Sequence, residues 1–233
     1  MRWRLVRGPD GKIYVLGGRG QGGVRRKNEV YDPKTNTWTT KARMPIGGWG
    51  IAAAAGADGK IYVFGGYRRN FGVGGHGLLN TVQIYDPTAN TWTVNHSMPA
   101  ELVDSSAALG PNGKIYFMGG YPLELTHSTA RVWSYQPSSG VWTQVASMSV
   151  ARTSFGAVAV PSGKIYAIAG ENVDSALKSV EVYSIASDAW SSAPPLPSAR
   201  YALSVATSGG TIYEIGGDDA LGAASKSVTT YTP

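Results

Sequence analysis

The amino-acid sequence predicts an all-β protein built from five copies of one small sheet. Two observations on composition favour strands and tight turns over helices. Glycine supplies 31 of the 233 residues, about twice its usual share, and charged residues make up only 15%. Tyrosine and tryptophan are plentiful, with 13 and 7 residues. The third observation is an internal repeat that runs through the whole chain.

The repeat consists of two sequence marks. The first reads GKIYVLGG at residues 11–18 and returns, little changed, at 59–66, 113–120, 163–170 and 210–217. The second is a tyrosine followed seven residues later by a tryptophan. This pair follows each of the first four segments, as Tyr31 and Trp38, Tyr85 and Trp92, Tyr135 and Trp142, and Tyr183 and Trp190. A period of roughly 50 residues is typical of repeated structural units.

Each repeat is interpreted as four short strands. An inner strand of small residues, such as 50–55 or 202–206, leads through a glycine-containing turn into the GKIY strand. Glycine in that turn supplies the positive φ that a tight hairpin needs. The third strand ends at the tyrosine, where Asp-Pro at 32–33 and 86–87 removes a backbone donor. The fourth strand carries the tryptophan.

Four-stranded units at this period predict a β-propeller. The sequence resembles the kelch-repeat family over nearly its full length, in its double glycines, its spaced tyrosine and tryptophan, and a segment of the type MPxxR before the inner strands. Residues 148–152 and 196–200 follow that segment, whereas 44–48 and 98–102 lack its arginine. We therefore predict a kelch-type propeller of five blades with four antiparallel strands each, in which the last blade is short of its outer strand.

The chain is predicted to form one propeller domain over residues 1–233, with repeats at about 2–40, 49–94, 103–144, 153–192 and 201–233. Residues 5–7 are assigned to the first inner strand, because the turn GPDG that follows them matches GPNG at 110–113. Four linking residues are too few for the crossover that an outer strand would need. Kelch propellers usually have six or seven blades, so we favour a small closed ring over part of a larger one.

The net charge of +6 is concentrated in the loops of the first two repeats. In a propeller, the loops before each inner strand and after each GKIY strand emerge on one face, here called the loop face, and the resemblance implies that this face binds partners. The basic residues of its first two repeats are Arg19, Arg25, Arg26, Lys27, Lys41, Arg43, Arg68 and Arg69. The corresponding loops of the later repeats are mildly acidic. An arginine-rich half-face suits an acidic protein, peptide or glycan.

Further candidate ligand-binding residues are expected near the propeller axis. Those at or just before inner strands are Trp49, Asp104, Arg152 and Arg200, and those on the same rim are Tyr67, Tyr121 and Tyr201. Aromatic rings beside arginine and aspartate would stack on a sugar and bind its hydroxyl groups. Packing at the rim is the competing explanation for each of these residues.

Several classes of function are excluded or disfavoured. Cysteine is absent, which excludes Cys-ligated zinc and the copper-radical oxidase activity of some kelch-type enzymes, since that activity needs a cysteine cross-linked to tyrosine. The three histidines lie on different loops, so we expect no metal site and no cofactor. Nucleic acid is disfavoured because no recognised binding motif is present. No apolar run approaches the ~20 residues of a membrane span, and the cellular location stays open.

Two functions from different classes remain. The first is a non-catalytic scaffold that binds an acidic partner through the basic part of the loop face. The alternative is a carbohydrate-binding or carbohydrate-active propeller, either a lectin or an enzyme similar to a sialate mutarotase or a glycosidase. Arg152 and Arg200 would suit a sugar carboxylate, and Asp104 is the best-placed acid, but this alternative rests on analogy of fold.

Overall fold

The computed structural model describes residues 3–21, 23–68, 77–95, 98–122 and 127–233. The chain divides into two compact units. Unit 1 comprises Met1–Asp104 with Pro137–Gly140, and unit 2 comprises Ser105–Gln136 with Val141–Pro233. Over the part of the chain that the structure describes, no helix is long and apolar enough to cross a membrane.

Unit 1 contains blades 1 and 2. The strands of blade 1 are β1 (Arg4–Arg7), β2 (Ile13–Leu16), β3 (Arg19–Gly20), β4 (Gly23–Val24), β5 (Asn28–Asp32) and β6 (Thr37–Thr40). The strands of blade 2 are β7 (Ala52–Ala55), β8 (Ile61–Phe64), β9 (Tyr67–Arg68), β10 (Gly77–Leu78), β11 (Val82–Asp86) and β12 (Thr91–Asn95). The blade sheets have the orders β1-β2-β5-β6 and β7-β8-β11-β12, and the pairs β3–β4 and β9–β10 are small separate ribbons on the connecting loops.

Unit 2 contains blades 3 to 5. Blade 3 has β13 (Ser106–Leu109), β14 (Ile115–Met118), β15 (Val132–Gln136) and β16 (Val141–Val145). Blade 4 has β17 (Gly156–Val160), β18 (Lys164–Ile168), β19 (Val180–Ser184) and β20 (Ala189–Ala193). Blade 5 has β21 (Ser204–Ser208), β22 (Thr211–Ile215) and β23 (Val228–Tyr231). Each blade is antiparallel with its strands in chain order, and blade 5 has three strands rather than four.

These sheets confirm the predicted fold class. The structure is all-β, with five successive antiparallel blades of which the last lacks an outer strand. The assignment of the first inner strand is also confirmed, because β1 pairs with β2 in the register Leu5↔Val15. The turn between them is closed by the Gly8 N–H, which donates to the Lys12 carbonyl at 2.8 Å, and by the Tyr14 hydroxyl, which donates to Asp10 at 2.9 Å.

The double glycines mark points of close backbone approach. Gly65 and Gly66 have φ of 56° and 93°, a conformation that side chains disfavour. A Cβ on Gly65 would lie 2.7 Å from the Leu102 carbonyl oxygen, and a Cβ on Gly66 would lie 3.0 Å from the Trp49 carbonyl oxygen. The Gly66 N–H instead donates to the Leu102 carbonyl at 2.9 Å. The glycines thereby let the end of β8 touch the loops that begin the inner strands.

Each spaced tyrosine and tryptophan lie directly opposite each other on the third and fourth strands. In blade 2, Tyr85 is paired with Trp92, and their ring centroids are 4.9 Å apart. Tyr85 is fully buried in a cluster with Tyr14, Val30 and other apolar residues. The tyrosines of blades 2 to 4 therefore fill the core, whereas in blade 1 Tyr31 is half-buried and Trp38 is 60% exposed.

Candidate functional site on the loop face

Two basic loops of unit 1 are joined by hydrogen bonds. The Arg25 N–H donates to the Gly18 carbonyl at 2.9 Å, which closes the β3–β4 loop on itself. The Met44 N–H donates to the Arg26 carbonyl at 3.1 Å, and the Arg26 Nε donates back to the Met44 carbonyl. The Lys41 N–H donates to the Asn28 carbonyl at 2.9 Å. The 19–27 loop and the 41–44 loop therefore form one surface.

This surface carries six cations, here called the basic loop cluster: Arg19, Arg25, Arg26, Lys27, Lys41 and Arg43. All except the half-buried Lys41 are exposed. Among the described residues, Lys27 is the one member in an ion pair, with its Nζ 2.6 Å from Glu29. Because the other five have no carboxylate partner within the described ranges, the cluster retains a concentrated positive charge.

The other basic residues predicted for this face are only partly described. Arg68 is half-buried on β9, where it is paired with Gly77 on β10. Arg69 lies outside the described residues. The described cations of the loop face are therefore the basic loop cluster and, in blade 2, the half-buried Arg68.

Trp49 and Tyr67 form an aromatic pair at the rim of blade 2. The Trp49 N–H donates to the Tyr67 carbonyl at 3.1 Å, and the Tyr67 N–H donates to the Trp49 carbonyl at 2.9 Å. Their ring centroids are 5.5 Å apart with an angle of 55° between the rings. Both residues are half-buried, so part of each remains accessible to a ligand.

Asp104 lies beside this pair. It has a φ of 55°, and its N–H donates to the carbonyl of Gly50, the residue after Trp49, at 2.8 Å. Arg4, at the start of β1, feels the Asp104 charge: burial lowers the pKa of the Arg4 guanidinium, and Asp104 opposes that shift. Sequence reasoning missed Arg4, although the bulky β1, with the sequence RLVR where other inner strands read AAAA or SAAL, was a usable signal.

Arg152 has no exposed surface, unlike a residue available for ligand binding. One guanidinium nitrogen donates to the Ala169 carbonyl at 2.8 Å and to the Ser179 carbonyl at 3.1 Å. The other donates to the Ser179 hydroxyl at 3.1 Å and to Glu181 at 2.6 Å. Burial lowers the pKa of Arg152, and Glu181 opposes the shift. A ligand would have to break these bonds to reach Arg152, so we assign it a structural role.

Arg200 is also buried, at 6% exposure, but its partners are incomplete. It donates to the hydroxyls of Ser198, at 2.8 Å, and Ser227, and to the Gly216 carbonyl at 3.4 Å. Its Nε has no hydrogen-bond partner, and neither has one carboxylate oxygen of the buried Glu214. Burial raises the pKa of Glu214 to about 7, and the Arg200 charge opposes this. Arg200 therefore also supports the fold rather than an open site.

The rim of unit 2 has a different character. Thr153 bridges to Glu171 in blade 4, and Tyr201 bridges to Asp218 in blade 5. Tyr201 and Tyr121 are both half-buried. The bridges of blades 4 and 5 correspond to the Trp49–Tyr67 bridge of blade 2, so Glu171 and Asp218 stand where blade 2 has Tyr67 and blade 3 has Tyr121.

The described residues were also searched for side chains that could hold a metal ion. There, no three His, Cys, Asp or Glu side chains lie close enough together to hold a metal ion. Of the three histidines, His127 is described and exposed, whereas His76 and His96 lie outside the described residues.

Comparison with known proteins identifies the family. A family model described as the KLHDC2/KLHL20/DRC7 Kelch-repeats domain matches residues 6–217. The chain belongs to the kelch-repeat family. The solved structure of YjhT superposes with a TM-score of 0.83, covers 100% of this chain and 81% of that one, and is 17% identical in sequence. At that identity the likeness shows the fold alone.

Two curated relatives match shorter segments of this kelch protein. N-acetylneuraminate epimerase of Pasteurella multocida (strain Pm70) is 36% identical over 115 residues, which are 48% of this chain and 29% of that protein. F-box/kelch-repeat protein At1g67480 of Arabidopsis thaliana is 40% identical over 84 residues, which are 36% of this chain and 21% of that protein. The chain therefore matches less than a third of the length of either relative.

Proposed function

We propose that this kelch protein is a non-catalytic interaction module that binds an acidic protein or peptide through the basic loop cluster. The main support is that hydrogen bonds join the 19–27 and 41–44 loops into one surface. That surface carries exposed arginines without a carboxylate partner among the described residues. The side chains of Arg19 and Arg43 are exposed and make no hydrogen bond or ion pair within the described residues. Arginine binds carboxylates with two parallel hydrogen bonds, which suits Asp- and Glu-rich segments.

The hydrogen bonds that join the two loops support this function. The backbone bonds between the Arg26 and Met44 segments hold the loops in place before a partner arrives. A preorganised surface loses little conformational freedom on binding, so more of the interaction energy appears as affinity. The half-buried Arg68 would extend the contact toward blade 2.

A labelled Glu-rich peptide tests the proposal by fluorescence anisotropy at low and at high salt. The variant Arg19→Glu/Arg43→Glu should bind at least about tenfold more weakly, because it places like charges against the peptide. Its control is Lys34→Glu/Lys164→Glu, which makes the same change in net charge at two exposed lysines outside the cluster. An equal loss of peptide affinity in both variants would show that net charge alone governs binding, and it would overturn the assignment of the binding site to the basic loop cluster.

Carbohydrate binding at the rim of unit 1 is the second candidate. The half-buried pair Trp49 and Tyr67 lies beside Asp104, whose charge interacts with Arg4. Aromatic faces stack on sugar rings, and a carboxylate accepts hydrogen bonds from hydroxyl groups. The resemblance of part of the chain to a protein named N-acetylneuraminate epimerase adds support to a sugar acid as the ligand.

Calorimetric titration with N-acetylneuraminate tests this second candidate. Binding should be lost in Trp49→Ala and retained in Trp38→Ala, which removes an exposed tryptophan from the outer strand of the same unit. Binding that survives Trp49→Ala would exclude the aromatic pair as the sugar site.

A further inference from the structure

Two loops on the rim of unit 2 each expose a large apolar side chain to solvent. Val173 of blade 4 is 68% exposed, and Leu221 of blade 5 is 93% exposed. We call these two residues the apolar tips. The other exposed large apolar side chains of the described residues lie on strands, as Leu5, Trp38, Val141, Ile215 and Val228. One exposed apolar residue is ordinary on a protein surface, so what matters is how these two are held together.

The loop of blade 4 holds Val173 at the end of a closed hairpin. Glu171 bridges to Ala176. Between them, the Asn172 N–H donates to the Ser175 carbonyl at 3.1 Å. The Asn172 side-chain oxygen also accepts the N–H groups of the two residues that follow Val173, at 3.0 Å each. The backbone on both sides of Val173 is therefore fixed while its side chain stays in solvent.

The loop of blade 5 holds Leu221 in a similar way. Asp218 bridges to Ala224. The Asp219 N–H donates to the Ala223 carbonyl at 3.0 Å, and the Asp219 side-chain oxygen accepts the N–H groups of Leu221 and Ala223, both at 2.9 Å. A loop that is already ordered loses little conformational freedom when it binds a partner.

Two consecutive residues join the hairpins. The Arg200 N–H donates to the Leu177 carbonyl at 3.0 Å, and the Arg200 carbonyl accepts the Gly170 N–H at 2.9 Å, which ties it to the loop of blade 4. The next residue, Tyr201, exchanges two backbone hydrogen bonds with Asp218 of blade 5, at 2.8 and 2.9 Å. The apolar tips therefore belong to one hydrogen-bonded surface, which also contains the half-buried Tyr201.

The exposure of the tips is a property of this point of the repeat. Blade 4 has a blade on either side within unit 2, since β17 packs against both β13 and β21. Val173 is exposed nevertheless, so a following blade does not cover the loop at this point. The corresponding ribbon β3–β4 of blade 1 presents the polar residues Arg19 and Gln21 instead.

Carboxylates flank the apolar tips. The acidic residues of the two loops are Glu171, Asp174, Asp218 and Asp219. None of them takes part in an ion pair within the described ranges. The cations of the same loops are Lys178 and Lys226, both exposed, so four negative charges stand against two positive ones at the surface. A negative surface repels nucleic acid and anionic lipid and attracts a basic protein segment.

We propose that the apolar tips bind a segment of a partner protein in which lysine or arginine alternates with apolar side chains. The apolar side chains of the segment pack against Val173 and Leu221, and its cations meet the flanking carboxylates. This partner is opposite in charge to the one proposed for the basic loop cluster. The inference therefore goes beyond that function and does not depend on it.

The probe is a fluorescein-labelled peptide of repeated Lys-Leu-Lys-Gly units, followed by fluorescence anisotropy. Val173→Ser/Leu221→Ser should bind it at least about tenfold more weakly than the parent, because the apolar contact is lost at both tips. The control Leu5→Ser/Val141→Ser removes two side chains that are 57% and 56% exposed but lie on strands. Parental affinity in the tip variant, or an equal loss in the control, would overturn the proposal.

Charge variants test the role of the carboxylates. Glu171→Gln/Asp174→Asn should weaken binding of the same peptide about three- to tenfold at low salt and much less at high salt. The control Asp58→Asn/Glu101→Gln makes the same change in net charge at two exposed residues of unit 1, and Asn112 already stands in the turn of blade 3 that corresponds to Asp58. The control should bind like the parent. Equal weakening in both would contradict binding at the tips.

Sedimentation velocity without peptide measures self-association. Dimers of the parent that disappear in Val173→Ser/Leu221→Ser would make a second copy of this chain the occupant, and the assignment to a partner protein would fail. A parent that stays monomeric and binds the peptide supports the proposal. The Glu-rich peptide should bind the tip variant with parental affinity, so this proposal and the proposed function fail separately.

Discussion

Blades 4 and 5 place an arginine at the same point of the repeat, immediately before the inner strand, yet only one of the two has a full set of partners. Arg152 of blade 4 is bonded to Glu181 at 2.6 Å and to the end of β18. Arg200 of blade 5 leaves its Nε unpaired, and the nearby Glu214 leaves one oxygen unpaired. The difference lies in where the carboxylate comes from.

The two carboxylates have exchanged strands. In blade 4, Glu181 is on the third strand opposite Ala167, whereas in blade 5 Glu214 is on the second strand opposite Thr229. Glu181 also accepts the N–H groups of Ser149 and Val150, at 2.6 and 3.1 Å, and so fixes the loop that carries Arg152. Glu181 on the third strand therefore bonds both its arginine and the loop that carries the arginine. In blade 5, with Glu214 on the second strand, one carboxylate oxygen and the Arg200 Nε stay without partners.

Blades 2 and 3 fill the same place without an ion pair. In blade 2, the Gln83 amide exchanges two hydrogen bonds with the Ile46 backbone, at 2.8 and 3.0 Å. In blade 3, the corresponding residues are Leu102 and Trp133, both buried. An arginine at this point of the repeat is therefore one of several ways to fasten a loop, and it is not by itself a mark of ligand binding.

The largest effect is expected from Arg152→Met. It leaves the Glu181 carboxylate buried without its cation, and breaking one partner of a buried ion pair costs about 3–5 kcal/mol of unfolding free energy. Arg200→Met should cost distinctly less, since the blade 5 pair is incomplete. Urea unfolding of both variants measures the difference, and equal losses would show that the unpaired atoms of blade 5 have no energetic consequence.

Glu214→Gln should change the pH dependence of stability. Burial raises the pKa of Glu214 to about 7 in the folded protein, against roughly 4.3 in an unfolded chain. Between these values the folded state holds a proton that the unfolded state has released, so the free energy of unfolding falls as pH rises through this window.

A glutamine at this position stays neutral at every pH, so the variant does not lose unfolding free energy as the pH rises. It should match the parent near pH 4.5 and exceed it at pH 8 by about 2–4 kcal/mol, because each unit of difference between the folded and unfolded pKa of Glu214 corresponds to ~1.4 kcal/mol. Parallel stability profiles of the two proteins would show that Glu214 titrates with an ordinary pKa.

A transplant of the blade 4 arrangement sharpens the comparison further. The double variant Glu214→Ala/Thr229→Glu moves the carboxylate of blade 5 to the third strand, as in blade 4. At neutral pH it should be more stable than the parent by about 1 kcal/mol, because one unsatisfied oxygen is removed and a partner is restored to Arg200. Thermal unfolding checks this, with Thr229→Glu alone as the control, which should destabilise the protein by placing two carboxylates opposite each other.

The smallest effect on stability is expected at the basic loop cluster. Arg19→Glu/Arg43→Glu alters exposed side chains without partners in the described structure, so its unfolding free energy should stay within about 0.5 kcal/mol of the parent. Calorimetry measures this. A larger loss would mean that these arginines fasten the loops, as Arg152 does.

The repeat made most of the fold predictable from sequence. The glycine turns, the opposite tyrosine and tryptophan, and the small inner strands each depend on local spacing, and the structure confirms five blades. The exposure of the predicted arginines was not predictable in the same way. Arg43 is exposed and Arg152 is fully buried, although both lie in loops before inner strands.

What separates these arginines is a partner far along the chain. Arg152 meets Glu181, which is 29 residues away, and Arg4 interacts with Asp104 across two blades. The sequence carried one usable signal, because a glutamate stands at 181 where blades 2 and 3 have Gln83 and Trp133. Blade 1 also has a glutamate there, Glu29, but it is only half-buried and pairs with Lys27. A charge such as that of Glu181 in a buried strand needs a counter-ion, and the nearest loop supplies it.

The central claim is that the exposed arginines of unit 1 bind an acidic partner while the buried arginines of unit 2 support the fold. The most direct measurement is the affinity for a Glu-rich peptide of the parent, Arg19→Glu/Arg43→Glu and Arg200→Met proteins. We expect at least about tenfold weaker binding for the first variant and parental affinity for the second. Parental affinity in Arg19→Glu/Arg43→Glu, with binding lost in Arg200→Met, would contradict the claim.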